Sequence, residues 1–158
     1  MAEREGAIGL GSNLGDKAAN ICTAVERFCD GYSVRLVALS SLYRTEPWGP
    51  VPQDWFLNAA ALVRSALEPR ELLARAKAVE AELGRMATVR WGPRAIDIDL
   101  LWLGELAVDE PDLALPHPGL FQRAFVLAPL AEIAADRVVA GRRIGDAAAL
   151  VCGAERPI

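Results

Sequence analysis

Residues Arg90-Trp91-Gly92-Pro93-Arg94-Ala95-Ile96-Asp97-Ile98-Asp99-Leu100 limit what this chain can fold into more than any other stretch. Two carboxylates stand two positions apart inside an apolar run, with arginines just upstream. Burying unpaired charge is expensive, so an ordinary core strand would not carry Asp97 and Asp99 among Ile96, Ile98, Leu100 and Leu101. In a strand, residues i and i+2 share a face, roughly 7 Å apart. Ile96, Ile98 and Leu100 then face the core and both carboxylates face an open site. Paired oxygen donors suit a hard divalent cation such as magnesium. The competing reading is a half-exposed strand whose two aspartates make surface ion pairs.

The surroundings favour the first reading. From Arg85 to Arg94 there are three arginines and no acid, on a chain whose net charge is −4. A local anion site on an acidic protein follows. A paired-carboxylate metal site beside phosphate-binding arginines is a phosphoryl-transfer layout, in which positioning and charge neutralisation dominate. The acidic balance argues against a generic nucleic-acid binder.

An apolar fraction of 53% over 158 residues argues against disorder and supports one domain, 1–158, with a sizeable core. No apolar run is long enough to span a bilayer, and Ala7 to Leu10 is too brief for a signal-peptide core. A soluble, cytoplasmic protein is expected. Cys22, Cys29 and Cys152 form no C-x-x-C pair. Cys22 and Cys29 are read as small core residues on a helix stripe.

Ala7–Leu10 reads as a short strand, followed by the turn-rich Gly11-Ser12-Asn13-Leu14-Gly15-Asp16. Asp16 is an N-cap for a helix reaching about Asp30, with Ile21, Val25, Phe28 and Cys29 at helical spacing. Val34–Tyr43 reads as one long strand and the proline-rich segment 46–54 as a loop over a site. Phe56–Val63 alternates, with Leu57, Ala59, Ala61 and Val63 on one face and Phe56 and Asn58 on the other. Pro69 opens a second helix with the stripe Leu72, Leu73, Ala76, Val79 and Leu83, closed by Gly84. A strand over 95–103, a loop at Pro116-His117-Pro118-Gly119, a helix over about 122–134 and a short helix over 144–151 complete the chain. The order β-α-β-β-α-β followed by helices predicts an α+β, ferredoxin-like split βαβ sandwich. Its antiparallel sheet carries helices on one face, with extra C-terminal helices.

Asn58 is an amide on an otherwise apolar strand and needs partners. With Phe56 and Phe125 it makes a slot for a flat heterocycle, although both rings also read as ordinary core. His117 reads either as a structural loop residue or, with Arg123 nearby, as a phosphate contact. Gly9-Leu10-Gly11-Ser12-Asn13 lacks the Lys-Ser/Thr of a P-loop and matches a phosphate loop poorly.

Together these segments resemble the 6-hydroxymethyl-7,8-dihydropterin pyrophosphokinase family of folate biosynthesis. The blocks that carry the likeness are Gly11-Ser12-Asn13-Leu14-Gly15-Asp16, Tyr43-Arg44-Thr45-Glu46-Pro47, Phe56-Leu57-Asn58-Ala59, Glu80 to Arg85, Arg90 to Asp99, and Pro116-His117-Pro118 with Arg123 and Phe125. The likeness runs to about Ala135. It implies transfer of pyrophosphate from ATP to the pterin hydroxymethyl oxygen, releasing AMP. Asp97 and Asp99 would hold two magnesium ions, and Arg85 and Arg94 would grip the phosphates and stabilise transferred charge. Glu80, Ile98, His117 and Arg123 would line the ATP site. Phe56 and Phe125 would sandwich the pterin, Asn58 would bond its edge, and Thr45, Pro47, Trp48 and Asp97 would complete that site. Loops at 13–16, 48–53 and 85–90 would act as lids. The family's frequent second basic residue after Arg85 is replaced here by Met86-Ala87-Thr88-Val89, and its frequent stacking tyrosine by Phe56.

The resemblance implies a monomer that binds ATP and the pterin, with no nucleic-acid or membrane partner. Two other readings remain open from sequence. One is a non-catalytic ferredoxin-like module for RNA or protein, which would need an open aromatic sheet face. The other is a different magnesium-dependent nucleotidyl or phosphoryl transferase, sharing the metal pair but not the aromatic-amide slot.

Overall fold

A computed structural model describes residues 2–46, 52–84, 95–152 and 157. The expectations at Pro47, Trp48, Arg85 and Arg94, and the lid over 85–90, lie outside the described residues.

The main sheet has five strands, four of them in the spatial order β2 (Val34–Leu39), β4 (Phe56–Ser65), β1 (Arg4–Ser12), β5 (Asp97–Leu103), with antiparallel neighbours and the fifth also paired to β4. This is the split βαβ order expected of a ferredoxin-like sheet, with crossovers through α1 (Lys17–Phe28) and α2 (Pro69–Glu82). The Asp16 carboxylate caps α1 by accepting the Ala19 N–H at 3.1 Å. Pro69 occupies the first turn of α2, where its missing N–H is no loss, and Glu71 accepts the Glu68 N–H at 3.1 Å. Gly84, at φ +81°, takes the left-handed conformation that closes α2.

The expected strand over 34–43 is two strands. β3 (Tyr43–Thr45) pairs with the N-terminal half of β4 and β2 with its C-terminal half. The break falls at Ser40, whose hydroxyl accepts the Ala60 N–H at 2.9 Å in place of a backbone carbonyl. Serine side chains compete with the backbone in this way, and hydropathy does not register it.

The helices cover both faces of the sheet, not one. On the first face Ile8, Leu10, Leu57, Ala59, Ala61, Ile98 and Leu100 pack against Ile21, Phe28, Leu72 and Val79 of α1 and α2. On the second, Ala7, Ala60, Leu62, Leu101 and Trp102 pack against α3 (Ala124–Ala134) and α4 (Ile144–Val151). Each large side chain so buried contributes about 1.5–3 kcal/mol. The register of β5 on β1 slips between Ala7 and Ile8, so that Leu101 and Trp102 both enter the second cluster. Two short hairpins, β6–β7 (Val108–Glu110, Leu113–Leu115) and β8–β9 (Val138–Val139, Arg142–Arg143), were not expected. Cys22 is exposed, which corrects its core assignment. It sits off the stripe formed by Ile21, Ala24, Val25 and Phe28, whereas Cys29 packs against the first cluster. Burial there pushes the Cys29 thiol up to about 11, which keeps it protonated and unreactive at neutral pH.

Among the described residues, no helix is long and apolar enough to cross a membrane.

Candidate active site

Strand alternation sets the site. Ile96, Ile98 and Leu100 are buried, while Asp97 and Asp99 are half-buried on the opposite face, the one that carries Leu101. On β4 the same sheet face presents Phe56, Asn58 and Ala60. Between them runs β1, where Gly11 lies opposite Asp97 on one side and Asn58 on the other, and Gly9 lies opposite Asp99. With strands about 4.8 Å apart, the carboxylate row and the aromatic-amide row flank the central strand at a separation of about 10 Å.

Gly9 and Gly11, whose pattern matches a phosphate loop poorly, instead leave room on the central strand between the two rows. Both sit in strand β1, and a Cβ on Gly11 would meet the Asn58 side-chain oxygen at 2.9 Å and the Phe56 ring at 3.7 Å. Their spacing of two, matching Asp97/Asp99 and Phe56/Asn58, was the signal available in the sequence.

Asn58 is 6% exposed, and its amide donates to the Thr45 hydroxyl at 2.6 Å. Thr45 lies opposite Phe56 on the neighbouring strand. Glu132 joins β3 to α3, its carboxylate accepting from the Ser41 backbone N–H, the Ser41 hydroxyl at 3.0 Å and the Tyr43 hydroxyl at 2.8 Å. Phe125, one helical face with Glu132 at i and i+7, packs half-buried against the second cluster. The structure therefore brings Thr45, Phe56 and Asn58 together, with Phe125 on the helix that covers the same sheet face.

A second group surrounds Asp99. His117 follows β7, and its backbone N–H donates to the Leu101 carbonyl at 2.7 Å. Its Nδ1 accepts the Gly119 N–H at 2.9 Å, which places the proton of the neutral ring on Nε2. Burial, chiefly, holds the imidazole below its ordinary pKa; Asp99 opposes that shift and Arg123 adds to it. Arg123 lies over the Phe125 ring, 5.7 Å from its centre. His117, Arg123 and Asp99 thus form one electrostatic neighbourhood beside Phe125.

A cavity of about 280 Å³ opens between α2, β5 and the β6–β7 hairpin. It is bounded by Leu73, Lys77, Ile98, Asp99, Ala114 and His117, among others. Leu73, Lys77 and Ala114 were not expected at a site, because helix and hairpin meet there only through tertiary packing. Glu80 is 3% exposed; its carboxylate accepts the Ile98 N–H at 2.9 Å and pairs with Lys77 at 3.5 Å. It fastens α2 to the residue between the two aspartates.

The loop at 13–16 and the segment 52–55 hold each other. Asn13 donates to Gln53 at 2.7 Å, and Lys17 pairs with Asp54 at 2.8 Å and lies over Trp55.

Among the described residues, no three histidine, cysteine or carboxylate side chains converge as a closed metal cage. The donor set nevertheless fits magnesium, which keeps several waters and takes one or two carboxylates together with substrate phosphates. Asp97 and Asp99, half-buried on one face, supply that.

The class is an α+β ferredoxin-like domain with a carboxylate pair, a cavity and an aromatic-amide group gathered at one end of its sheet. Within that class, residues 7–135 match the family model for 7,8-dihydro-6-hydroxymethylpterin-pyrophosphokinase, and the chain belongs to that family. It is 50% identical over 142 residues to the 2-amino-4-hydroxy-6-hydroxymethyldihydropteridine pyrophosphokinase of Methylorubrum extorquens, covering 90% of each chain. To the Pseudomonas aeruginosa protein of that name it is 43% identical, covering 87% of this chain and 85% of the other. Among solved structures, it superposes on an HPPK-DHPS complexed with substrates with a TM-score of 0.76 at 12% identity, covering 95% of this chain. Plasmodium falciparum HPPK-DHPS with pteroate gives 0.74 at 14%, covering 94% of this chain. At those identities the likeness concerns the fold, and the chain spans only 43% and 42% of those longer proteins.

Proposed function

We propose that Asp97 and Asp99 carry the reaction of this family, with the Phe56, Asn58, Phe125 and Thr45 group receiving the pterin and the cavity beside His117 receiving the nucleotide. The chain is a pyrophosphokinase that transfers pyrophosphate to 6-hydroxymethyl-7,8-dihydropterin in folate biosynthesis. ATP is the donor and AMP the product. The observation that carries the residue assignment is the register that sets half-buried Asp97 across Gly11 from the buried Asn58 amide, with Asp99 and Phe56 on the same sheet face.

Each side chain has a physical task. Asn58 is oriented by Thr45 and offers its remaining amide positions to the edge of a heterocycle. Phe56 and Phe125 offer ring faces. Asp97 and Asp99 would hold magnesium, which when bound neutralises phosphate charge and polarises the transferring group. His117, with its neutral-ring proton on Nε2, donates a hydrogen bond to a phosphate oxygen, and Arg123 adds positive charge. Arg85 and Arg94 would supply further charge to the triphosphate. Glu80 and Ile98 act through the strand: Glu80 holds the Ile98 N–H and so fixes the two aspartates on one face.

Helices on both sheet faces support this reading over an RNA-binding module, whose sheet must lie open. The test is Asp97→Asn and Asp99→Asn, assayed separately for AMP release. Each is expected to lose about a hundredfold or more of kcat/KM while circular dichroism and Tm stay near the parent's. Either variant retaining near-normal turnover overturns the metal assignment.

A further inference from the structure

The cavity assigned to the nucleotide has acidic walls. Among its described lining residues, Asp99, Glu110 and Asp112 stand with one cation, Lys77, itself paired with Glu80. Such a rim should repel a nucleoside triphosphate. Two of those carboxylates are held by a single residue from outside the cavity lining. Arg70, in the first turn of α2, donates through Nη2 to Glu110 and through Nη1 to Asp112 at 2.7 Å. Glu110 ends β6 and Asp112 lies in the two-residue turn that follows it, so one guanidinium holds both carboxylates of the hairpin tip.

We propose that Arg70 is a charge-compensating positioning residue of the nucleotide cavity: by holding Glu110 and Asp112 it removes their repulsion from the rim and raises affinity for an anionic nucleotide without contacting it. This rests on the reading of the cavity as the nucleotide site. The ion pairs are about half exposed, so their value as a structural fastening is small. Their effect on a highly charged ligand is larger, because two uncompensated carboxylates act together within a Debye length. The guanidinium also holds the Asp112 carboxyl below its usual pKa, so Asp112 is ionised at any working pH.

The experiment is steady-state kinetics on Arg70→Gln, on the triple variant Arg70→Gln/Glu110→Gln/Asp112→Asn, and on Ala114→Trp, which fills the cavity. Arg70→Gln is expected to raise KM for ATP about three- to tenfold at low ionic strength, with KM for the pterin and kcat within about twofold. The ratio of variant to parent KM shrinks at about 0.5 M salt, where charge repulsion is screened. The triple variant returns to near the parent's KM, because it removes the repelling charges together with their partner. An unchanged KM for ATP in Arg70→Gln, or a triple variant as weak as Arg70→Gln, overturns the charge role. If Ala114→Trp raises KM for ATP and Arg70→Gln does not, the cavity reading stands and the Arg70 proposal falls. If Ala114→Trp leaves KM for ATP untouched, the cavity reading falls and the proposal with it.

Discussion

The side-chain oxygen of Asn58 occupies space that a Cβ on Gly11 would enter, with only 2.9 Å between them. The central strand therefore has to be glycine at this point for the amide to lie over it. Gly11→Ala pushes the Asn58 amide out of position, an overpacking effect of about 1–3 kcal/mol. Expressed in kinetics, kcat/KM for the pterin falls about ten- to a hundredfold, while KM for ATP holds within about twofold. Equal losses for both substrates would show that Gly11 supports the sheet and not the pterin slot.

Thr45→Val keeps the shape of the side chain and removes the hydroxyl that accepts the Asn58 amide at 2.6 Å. A net loss of about 0.5–1.5 kcal/mol is expected at the slot, a rise of about two- to tenfold in KM for the pterin. Isothermal titration with the pterin alone reads the same change without turnover. Parent-like affinity would mean that Asn58 is oriented by something other than Thr45.

The Tyr43 hydroxyl, buried and bonded to Glu132, is pushed up to about 12 from an ordinary 10.0. A raised pKa in the folded state means stability that is fully present below pH 10 and is lost as pH rises towards 12. Urea unfolding of the parent and of Tyr43→Phe, repeated from pH 8 to about pH 11, isolates this contribution. The parent is expected to lose stability more steeply than Tyr43→Phe above about pH 10. Parallel profiles would remove Tyr43 as the cause.

Elements with strong local signals were legible from residues alone. Asp16 announces the start of α1, Pro69 and Gly84 bracket α2, and the Ile/Asp alternation sets the faces of β5. The break between β2 and β3 was not legible, because it depends on the Ser40 hydroxyl reaching Ala60, a contact across twenty residues. Nor was the second helical layer. The pattern of Leu127 and Leu130 shows an apolar helix but not which sheet face receives it. Hairpins of two or three residues per strand fall below any period that sequence can display. At the site, charged and amide residues stand out because they break an apolar pattern, whereas Gly9 and Gly11 read only as a poor phosphate loop because they have no side chain to show what lies across from them. Of the cavity beside His117, the sequence offered Ile98, Asp99 and His117 but not Leu73 or Ala114, which join them only when α2 and the β6–β7 hairpin pack together.

The central claim is that one site transfers pyrophosphate from ATP to a pterin alcohol, with Asp97 and Asp99 as its metal-holding pair. Its most direct test is separation of the nucleotide products formed from ATP and magnesium, with and without 6-hydroxymethyl-7,8-dihydropterin. The account predicts AMP, and a matching amount of pterin diphosphate, only when ATP, magnesium and the pterin are all present, and neither product from Asp99→Asn. Formation of ADP in place of AMP, or AMP release that ignores the pterin, would contradict it.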